Sequence, residues 1–463
     1  MQENRKDQEV FEKLPLGKAF ITLTIPPIIT QIVMIIYNFA DTFFLGMTNN
    51  ENMVAALSVS MPIYIIMTAI ANLFGVGGSS TIARYLGLNK VDKARKAFVI
   101  AFYSSILTAL IYTLVIIVFQ DSLISIIGGN SDSFAYIKKY MFWTMIIGAV
   151  PTVMNALCGH LVRSIGASKE ASFGMILGAA LNIVLDPLFM FVILPKGNEV
   201  TGAAVATLIS NTVSCIYFFI YIYKHRDNRI FSYDIQEYTF KGKIFNSIIT
   251  IGIPAALATT MAMVSNIFAN KLLESAGNSA VSGLGIAKKV NTLAFNLCLG
   301  ITQGVLPLIA YNYASKNFKR MKDAIKLMFG CVLSFSIICL VLFKVFTPGF
   351  ISFFIQNDSV IDYGVISLDV IAWAVPFCGI SYSVNTIFQA TKHRTFSFIL
   401  SILRKGLFDI PLMFILKSKM GVNGVLYATP IAEVAAIFVA ISFFIVFIRK
   451  IKKEEKSIII EYN

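Results

Sequence analysis

Residues 25–46 read IPPIITQIVMIIYNFADTFFLG. As a helix this stretch crosses a bilayer core of roughly 30 Å. Near its end, Tyr37-Asn38-Phe39-Ala40-Asp41-Thr42-Phe43-Phe44-Leu45-Gly46, it carries one carboxylate, Asp41. A charge at membrane depth costs roughly 2.5–3.5 kcal/mol on insertion scales. Such an acid either sits near a helix end and reaches interface water, or it has a partner or a task. The rest of the chain bears on which.

Apolar runs like this one recur to the C-terminus. Hydrophobic residues make up 57% of the 463, charged residues only 14%, and the mean hydropathy is +0.74. The runs are continuous rather than alternating, which predicts helices and not strands. Twelve spans are predicted, at about 18–46, 53–83, 95–119, 134–162, 170–194, 201–224, 244–274, 280–312, 322–347, 359–390, 396–416 and 423–449. The fold class is therefore an all-α integral membrane protein. The N-terminal MQENRKDQEVFEKLPLGK is polar and lacks the apolar core and cleavage site of a secretory signal. The first span is expected to act as its own uncleaved signal.

The net charge of +14 would suit a nucleic acid or a membrane surface, but its placement points elsewhere. Lys and Arg cluster in alternate loops. Examples are Arg5, Lys6, Lys13 and Lys18; Arg84, Lys90, Lys93, Arg95 and Lys96; Lys224, Arg226 and Arg229; and Arg449, Lys450, Lys452 and Lys453. The intervening loops 47–53, 120–136 and 348–358 are poor in positive charge. Both termini are expected on the cytoplasmic side of a cell membrane, with no nucleic-acid partner. The six cysteines, at 158, 215, 298, 331, 339 and 378, lie in apolar runs without metal spacing, and read as free thiols packed as small hydrophobes. His225 and His393 lie in basic loops, and His160 reads as a helix-end polar contact. No nucleophile or metal constellation is visible in the sequence, so an enzyme is not expected.

An internal repeat crosses the polar segment 225–243. Pro26 and Asn38 recur as Pro254 and Asn266, each 228 residues on. ARYLGLNKVDKARKA (83–97) recurs as AYNYASKNFKRMKDA (310–324), shifted by 227. Ala167-Ser168-Lys169 answers Ala390-Thr391-Lys392, and Asp186 answers Asp409, at 223. GAAVAT (202–207) answers GVLYAT (424–429) at 222. Equivalent spans start on the same side, so the repeat is parallel and gives two pseudo-symmetric six-helix bundles. The expected organisation is a tail at 1–17, an N-lobe at 18–224, a linker at 225–243, a C-lobe at 244–449 and a tail at 450–463. Two facing bundles enclose a cavity whose access can alternate, which points to a transporter.

Polar residues differ between the halves. In ALNIVLDPLF, Asn182 and Asp186 are four apart and share a helix face. Pro187 follows and leaves the Ile183 carbonyl without its donor. Ala203 and Thr207 are also four apart, and Gly174, Gly178 and Gly202 allow close helix approach. If their spans adjoin, Asp41, Asn182, Asp186 and Thr207 would supply oxygens and two negative charges for one small hard cation. The same pair can instead hold a proton, since two close carboxylates in low dielectric do not both ionise readily. The second half has Ala269 for Asp41 and Lys405, beside Arg404, for Asn182. Asp409 is expected to pair with one of those cations. Asp369 and Glu433 have no evident partner in the sequence.

The chain strongly resembles the multidrug and toxic compound extrusion (MATE) family, in its MepA-like bacterial branch. The residues that carry this are IPPIITQIVMIIYNFADTFFLG (25–46), GVGGSSTIARYLG (75–87), LVRSIGASKEASFGMILGAALNIVLDPLF (161–189), GAAVATLIS (202–210) and their second-half counterparts. The resemblance covers nearly the whole chain. It implies a two-lobed antiporter of the bacterial cytoplasmic membrane that expels organic cations and amphipathic drugs against Na+ or H+, with no cofactor. It implies a coupling-ion site of Asp41, Asn182, Asp186, Thr207 and the Ala203 backbone oxygen. Acids that some relatives carry in the C-lobe have no clear match here.

Met34, Tyr37, Asn38, Met154, Asn155, Met261, Met263, Asn266, Phe295, Gln303, Phe388 and Gln389 are candidates to line the cavity, because Met and aromatic side chains repack around varied ligands. The chain is expected to act as a monomer in lipid on small-molecule drugs. The alternative within transport is a lipid-linked oligosaccharide flippase of related architecture, kept open by Arg404 and Lys405. A membrane-embedded enzyme or receptor is the alternative of another class.

Overall fold

The computed structural model describes residues 9–48, 50–127, 131–226, 230–273, 277–355 and 357–462. Arg5, Lys6 and Arg229 lie outside them. In a bilayer each backbone N–H and C=O must be satisfied within its own segment, and the apolar runs accordingly fold as helices. They are α1 (Leu16–Gly46), α2 (Glu51–Gly87), α3 (Val91–Ile126), α4 (Ser131–Met141), α5 (Ala149–Arg163), α6 (Ser168–Pro187), α7 (Glu199–Lys224), α8 (Lys243–Leu273), α9 (Asn278–Ala314), α10 (Phe318–Val345), α11 (Thr347–Ser352), α12 (Asp358–Ile371), α13 (Ala374–Ala390), α14 (Arg394–Ile402), α15 (Ile410–Met420) and α16 (Val422–Tyr462). Wider π turns follow α4 (Phe142–Ile147) and α6 (Leu188–Ile193), and one joins α14 to α15 (Leu403–Asp409). Loop asparagines stop and start the helices. Asn50 accepts from the N–H groups of Asn52 and Met53, Asn317 from Arg320 and Asn357 from Val360, each satisfying an orphan donor of a first turn.

Among the described residues nine helices are long and apolar enough to cross a membrane, and two bent pairs bring this to eleven. The twelfth segment is α14 to α15, divided by its π turn. The repeat is visible in the elements themselves. α1 and α8 are each 31 residues, and α2 and α9 each 37. Asn89 and Lys316, 227 apart, both take left-handed backbone (φ 55° and 63°) where one helix ends and the next begins. The broken spans also correspond: α4 to α5 bends by 52°, α12 to α13 by 46°.

The described residues group into two compact units, one of 25–259 with the stretch before Pro15, the other of 15–24 with 260–463. The division therefore runs inside α1 and α8, not through 225–243. The reason lies in glycines. GVGGSS (75–80) is helical, part of α2. In the first unit a Cβ on Gly77 would overlap the Ile248 carbonyl of α8, and one on Gly252 the Leu73 carbonyl of α2. In the second unit a Cβ on Gly304 of α9, the repeat equivalent of Gly77, would overlap the Leu23 carbonyl of α1. Backbones meet here as small residues let them in membrane helices. Gly77→Ala forces these backbones apart. We expect a loss of about 1–3 kcal/mol, the usual cost of overpacking, read as a lower melting temperature in detergent.

Residues 230–243 are docked within the first unit. Ile230 and Phe231 are buried, the Phe231 ring meets Phe98 edge-on, and Tyr103 donates its hydroxyl proton to the Tyr233 carbonyl at 2.7 Å. Glu237 pairs with Arg95 at 2.8 Å. Farther along α3, Leu110, Ile111, Leu114, Val115, Ile117 and Val118 are exposed, as a lipid-facing surface is. The tail expected from 450 onward is instead the continuation of α16, tied by Lys322 to Glu455 at 2.7 Å. All six cysteines are free, four of them buried.

Candidate functional site

The first unit brings its sequence-selected acids to one place. α1 supplies Asp41, α6 supplies Asn182 and Asp186 on one face, and α7 supplies Ala203 and Thr207. All are buried: Asp186 and Ala203 have no exposed surface, Asn182 and Thr207 show 2%, and Asp41 5%. Asn182 Nδ2 donates to Thr207 Oγ1 at 3.3 Å, which turns the amide oxygen away from that contact. Tyr37, one helical turn before Asp41, reaches the Thr207 hydroxyl. Asp41 and Asp186 lie close enough for their charges to interact.

The decisive feature is what these oxygens lack. Asp41 Oδ1, Asn182 Oδ1 and both carboxylate oxygens of Asp186 have no hydrogen-bond partner among the described residues. Buried polar atoms are nearly always satisfied, and a buried acid without a counter-charge costs several kcal/mol. Two carboxylates, an amide oxygen and a hydroxyl fit a small hard cation such as Na+, or protons. They do not fit a transition metal: no group of three or more His, Cys, Asp or Glu side chains is found among the described residues.

Behind the acids runs a polar chain that the sequence reading missed. Asn211 Nδ2 donates to the Thr207 carbonyl at 3.1 Å. Asn155 Nδ2 donates to Asn211 Oδ1 at 2.9 Å. Ser214 Oγ lies 2.7 Å from Asn155 Oδ1 and 2.5 Å from the Gly174 carbonyl. Tyr64 of α2 reaches Asn211. The signal was present in α7, where Thr207, Asn211 and Ser214 fall at helical spacing on one face. Asn155, a candidate cavity residue, thus holds α5 to α7. Asn155→Ala leaves Asn211 Oδ1 without its donor, and about 1–3 kcal/mol of stability should be lost, measured by thermal unfolding.

The second unit answers with charge pairs. Asp409 is fully buried and both its oxygens are used. Ser265 donates to Oδ2 at 2.7 Å, Lys405 to the same oxygen at 3.2 Å, and Thr429 to Oδ1 at 3.0 Å. The expected pairing of Asp409 with a neighbouring cation is present. Glu433 corrects the sequence reading. It has two partners, Arg404 Nε at 3.4 Å and Lys405 Nζ at 3.3 Å. Arg404 also lies over the Tyr382 ring, 4.3 Å from its centroid. Asp369 is corrected too: it is half exposed and pairs with Lys344.

The MatE family pattern matches residues 26–188 and again 251–415, once in each half of the chain. The chain belongs to the MatE family. This is a family of transporters and not of enzymes, and the MatE chain described here is a multi-pass membrane transporter. It is 30% identical over 432 residues to the multidrug export protein MepA of Staphylococcus aureus (strain MRSA252), covering 92% of this chain and 94% of that one. It is 28% identical over 459 residues to MepA of Staphylococcus haemolyticus (strain JCSC1435), covering 98% and 99%. Its fold is similar to that of a multidrug resistance MATE family transporter of the MOP superfamily solved in an outward-facing conformation, with TM-score 0.89, 23% identity and coverage of 97% and 99%. A MOP superfamily transporter from Pyrococcus furiosus matches with TM-score 0.90, 22% identity and coverage of 96% and 99%.

Within this MatE fold the remaining cavity candidates separate. Met154 and Phe388 are wholly buried, and Phe388 sits among Phe396, Phe447 and His393. Both are packing residues, which corrects their assignment to a cavity wall. Phe295 packs on the apolar core of the second unit. Gln389 is buried at 8%. Met34, Tyr37, Met261, Met263 and Gln303 are half-buried. Asn38 is exposed and donates to the Met34 carbonyl, and Asn266 is exposed and accepts from Lys288 at 3.0 Å.

Proposed function

We propose that this MatE chain is a multidrug efflux antiporter of the bacterial cell membrane, with both termini in the cytoplasm. It exports organic cations and amphipathic drugs in exchange for Na+ or H+ by alternating access of two lobes. The coupling ion is held by Asp41, Asn182, Asp186, Thr207 and the Ala203 carbonyl. The observation that carries this is the buried acid pair without a cationic side chain beside it. Such a pair is stable only when something positive comes to it, so its affinity for an ion must differ between states that wet it and states that do not. That difference is what an ion gradient can work on. The relatives named for multidrug export support the substrate class, and the half-buried Met and Tyr side chains near the first-unit acids suit ligands of varied shape.

The test is transport in reconstituted vesicles, with Na+ and pH gradients imposed separately. Ethidium efflux that follows one gradient supports the proposal and names the ion. Lipid flipping without gradient-driven efflux would support the flippase instead. That alternative rested on Arg404 and Lys405, and both of these cations are engaged by Glu433 and Asp409.

A further inference from the structure

The acids of the two repeats stand on the same scaffold but are neutralised differently. By the repeat register Asp409 stands for Asp186, Lys405 for Asn182, Thr429 for Thr207, Glu433 for Asn211, Ser265 for Tyr37 and Ala269 for Asp41. The scaffold is kept. Asp186 and Asp409 are both fully buried, although the π turn of the first unit follows Asp186 and that of the second ends on Asp409. In the first unit the residue four before the acid donates to a threonine of the next long helix. In the second unit the acid itself takes the donor of the equivalent threonine.

What changes is the source of positive charge. The first site has two acids, Asp41 and Asp186, and neither forms an ion pair among the described residues. The second site has two acids, Asp409 and Glu433, and two cations in contact with them, Arg404 and Lys405. Lys288, bonded to Asn266 Oδ1 at 3.0 Å, adds a third positive charge near Asp409. Lys405 Nζ lies between them, 3.2 Å from Asp409 Oδ2 and 3.3 Å from Glu433 Oε1. That is where a bound monovalent cation would bridge the same two carboxylates. Its side chain is only 13% exposed and that of Glu433 not at all, so the ammonium is not a solvated surface charge passing by.

We propose that Lys405 is a resident counter-cation: its ammonium fills, by covalent tether, the position in the second repeat that corresponds to the exchangeable cation position of the first. The C-terminal repeat is thereby closed to coupling ions, and each transport cycle uses only the N-terminal acids. Removing the tether reopens a cation site at Asp409 and Glu433. The exclusion follows from charge. With Lys405 and Arg404 in contact the four side chains sum to zero, Lys288 adds positive charge beside them, and a further monovalent cation finds no net attraction to offset its dehydration. Without Lys405 the two carboxylates lose the cation that lies between them, Lys288 stays bonded to Asn266 rather than to either acid, and Na+ or a proton takes the vacated place. The inference rests on the reading of Asp41 and Asp186 as the exchangeable site.

The test counts cations bound to the purified full-length protein, as radioactive Na+ retained and as protons taken up in titration. Asp186→Asn alone tests the first-repeat reading: if it keeps the full uptake of the natural protein, that reading fails. The tether is tested in the same background. Lys405→Asn added to Asp186→Asn should gain one cation per protein over Asp186→Asn alone, and adding Glu433→Gln should remove the gain. Equal uptake in the presence and absence of Lys405→Asn overturns the tether. Should Lys405→Asn not fold, the reciprocal change serves. Asn182→Lys places an ammonium four residues before Asp186, as Lys405 stands before Asp409. It should abolish cation uptake by a protein that remains monodisperse, and uptake at the natural level overturns the proposal.

Discussion

Asp186→Asn is expected to reduce drug export to the level of a host without the transporter, while the amount of protein in the membrane stays unchanged. The amide matches the carboxylate in size, so the packing of α6 against α7 survives. What is lost is the charge. Asp186 has no surface exposure. Among the described residues neither of its oxygens has a hydrogen-bond partner and no cationic side chain pairs with it, so a bound cation is what its charge would answer to. Coupling between two ligands is typically on the order of 1–3 kcal/mol, or roughly 5–150-fold in affinity. Most of that should vanish with this carboxylate. Drug susceptibility in an efflux-deficient host, read beside an immunoblot of the membrane fraction, decides the matter. Undiminished resistance would sink the assignment of Asp186. Thr207→Ala, which removes a neutral ligand and leaves both acids, should cost far less.

Glu433→Ala is expected to act on stability rather than on coupling. Glu433 is fully buried and holds both Arg404 and Lys405. Deleting it leaves two cations and one acid in the interior of the second unit. Breaking a buried pair by removing one partner costs about 3–5 kcal/mol, because the other charge stays buried without compensation. The melting temperature in detergent should fall, and expression with it. Glu433→Gln should lie between, since it keeps the side-chain volume and leaves a polar oxygen facing the two cations while removing the charge. A natural melting temperature for Glu433→Ala would mean that water reaches the cluster freely.

The contrast between Asp409 and Glu433 shows how far the sequence could be followed. Asp409 and Lys405 are four residues apart, so helical geometry alone placed them together. Glu433 belongs to α16, while its partners lie in the π turn before α15. No spacing along one helix connects them, and Glu433 read as an acid without company. The register of the repeat held a hint, since Glu433 stands for Asn211, but Asn211 itself had drawn no notice. Gly77 was similar: nothing in the sequence said that its missing side chain lets the α8 backbone pass.

The sequence by itself determined the class, the twelve spans, the parallel repeat and the acid set of the N-terminal half. Each of these is a local quantity. Whether a segment enters a bilayer depends on its own hydropathy, and Asn182 and Asp186 share a face whatever surrounds them. Only the tertiary structure decided which charges neutralise which, where residues 230–243 dock, and that the compact units divide inside α1 and α8. Those depend on how each helix is rotated about its axis and how closely its backbone meets the next, and both are set by side-chain volume and packing across helices that are distant in sequence. Asp41, at the end of the first span, belongs to both levels: the sequence made it conspicuous, and the fold gave it Asp186 for company with no cationic side chain among the described residues to share.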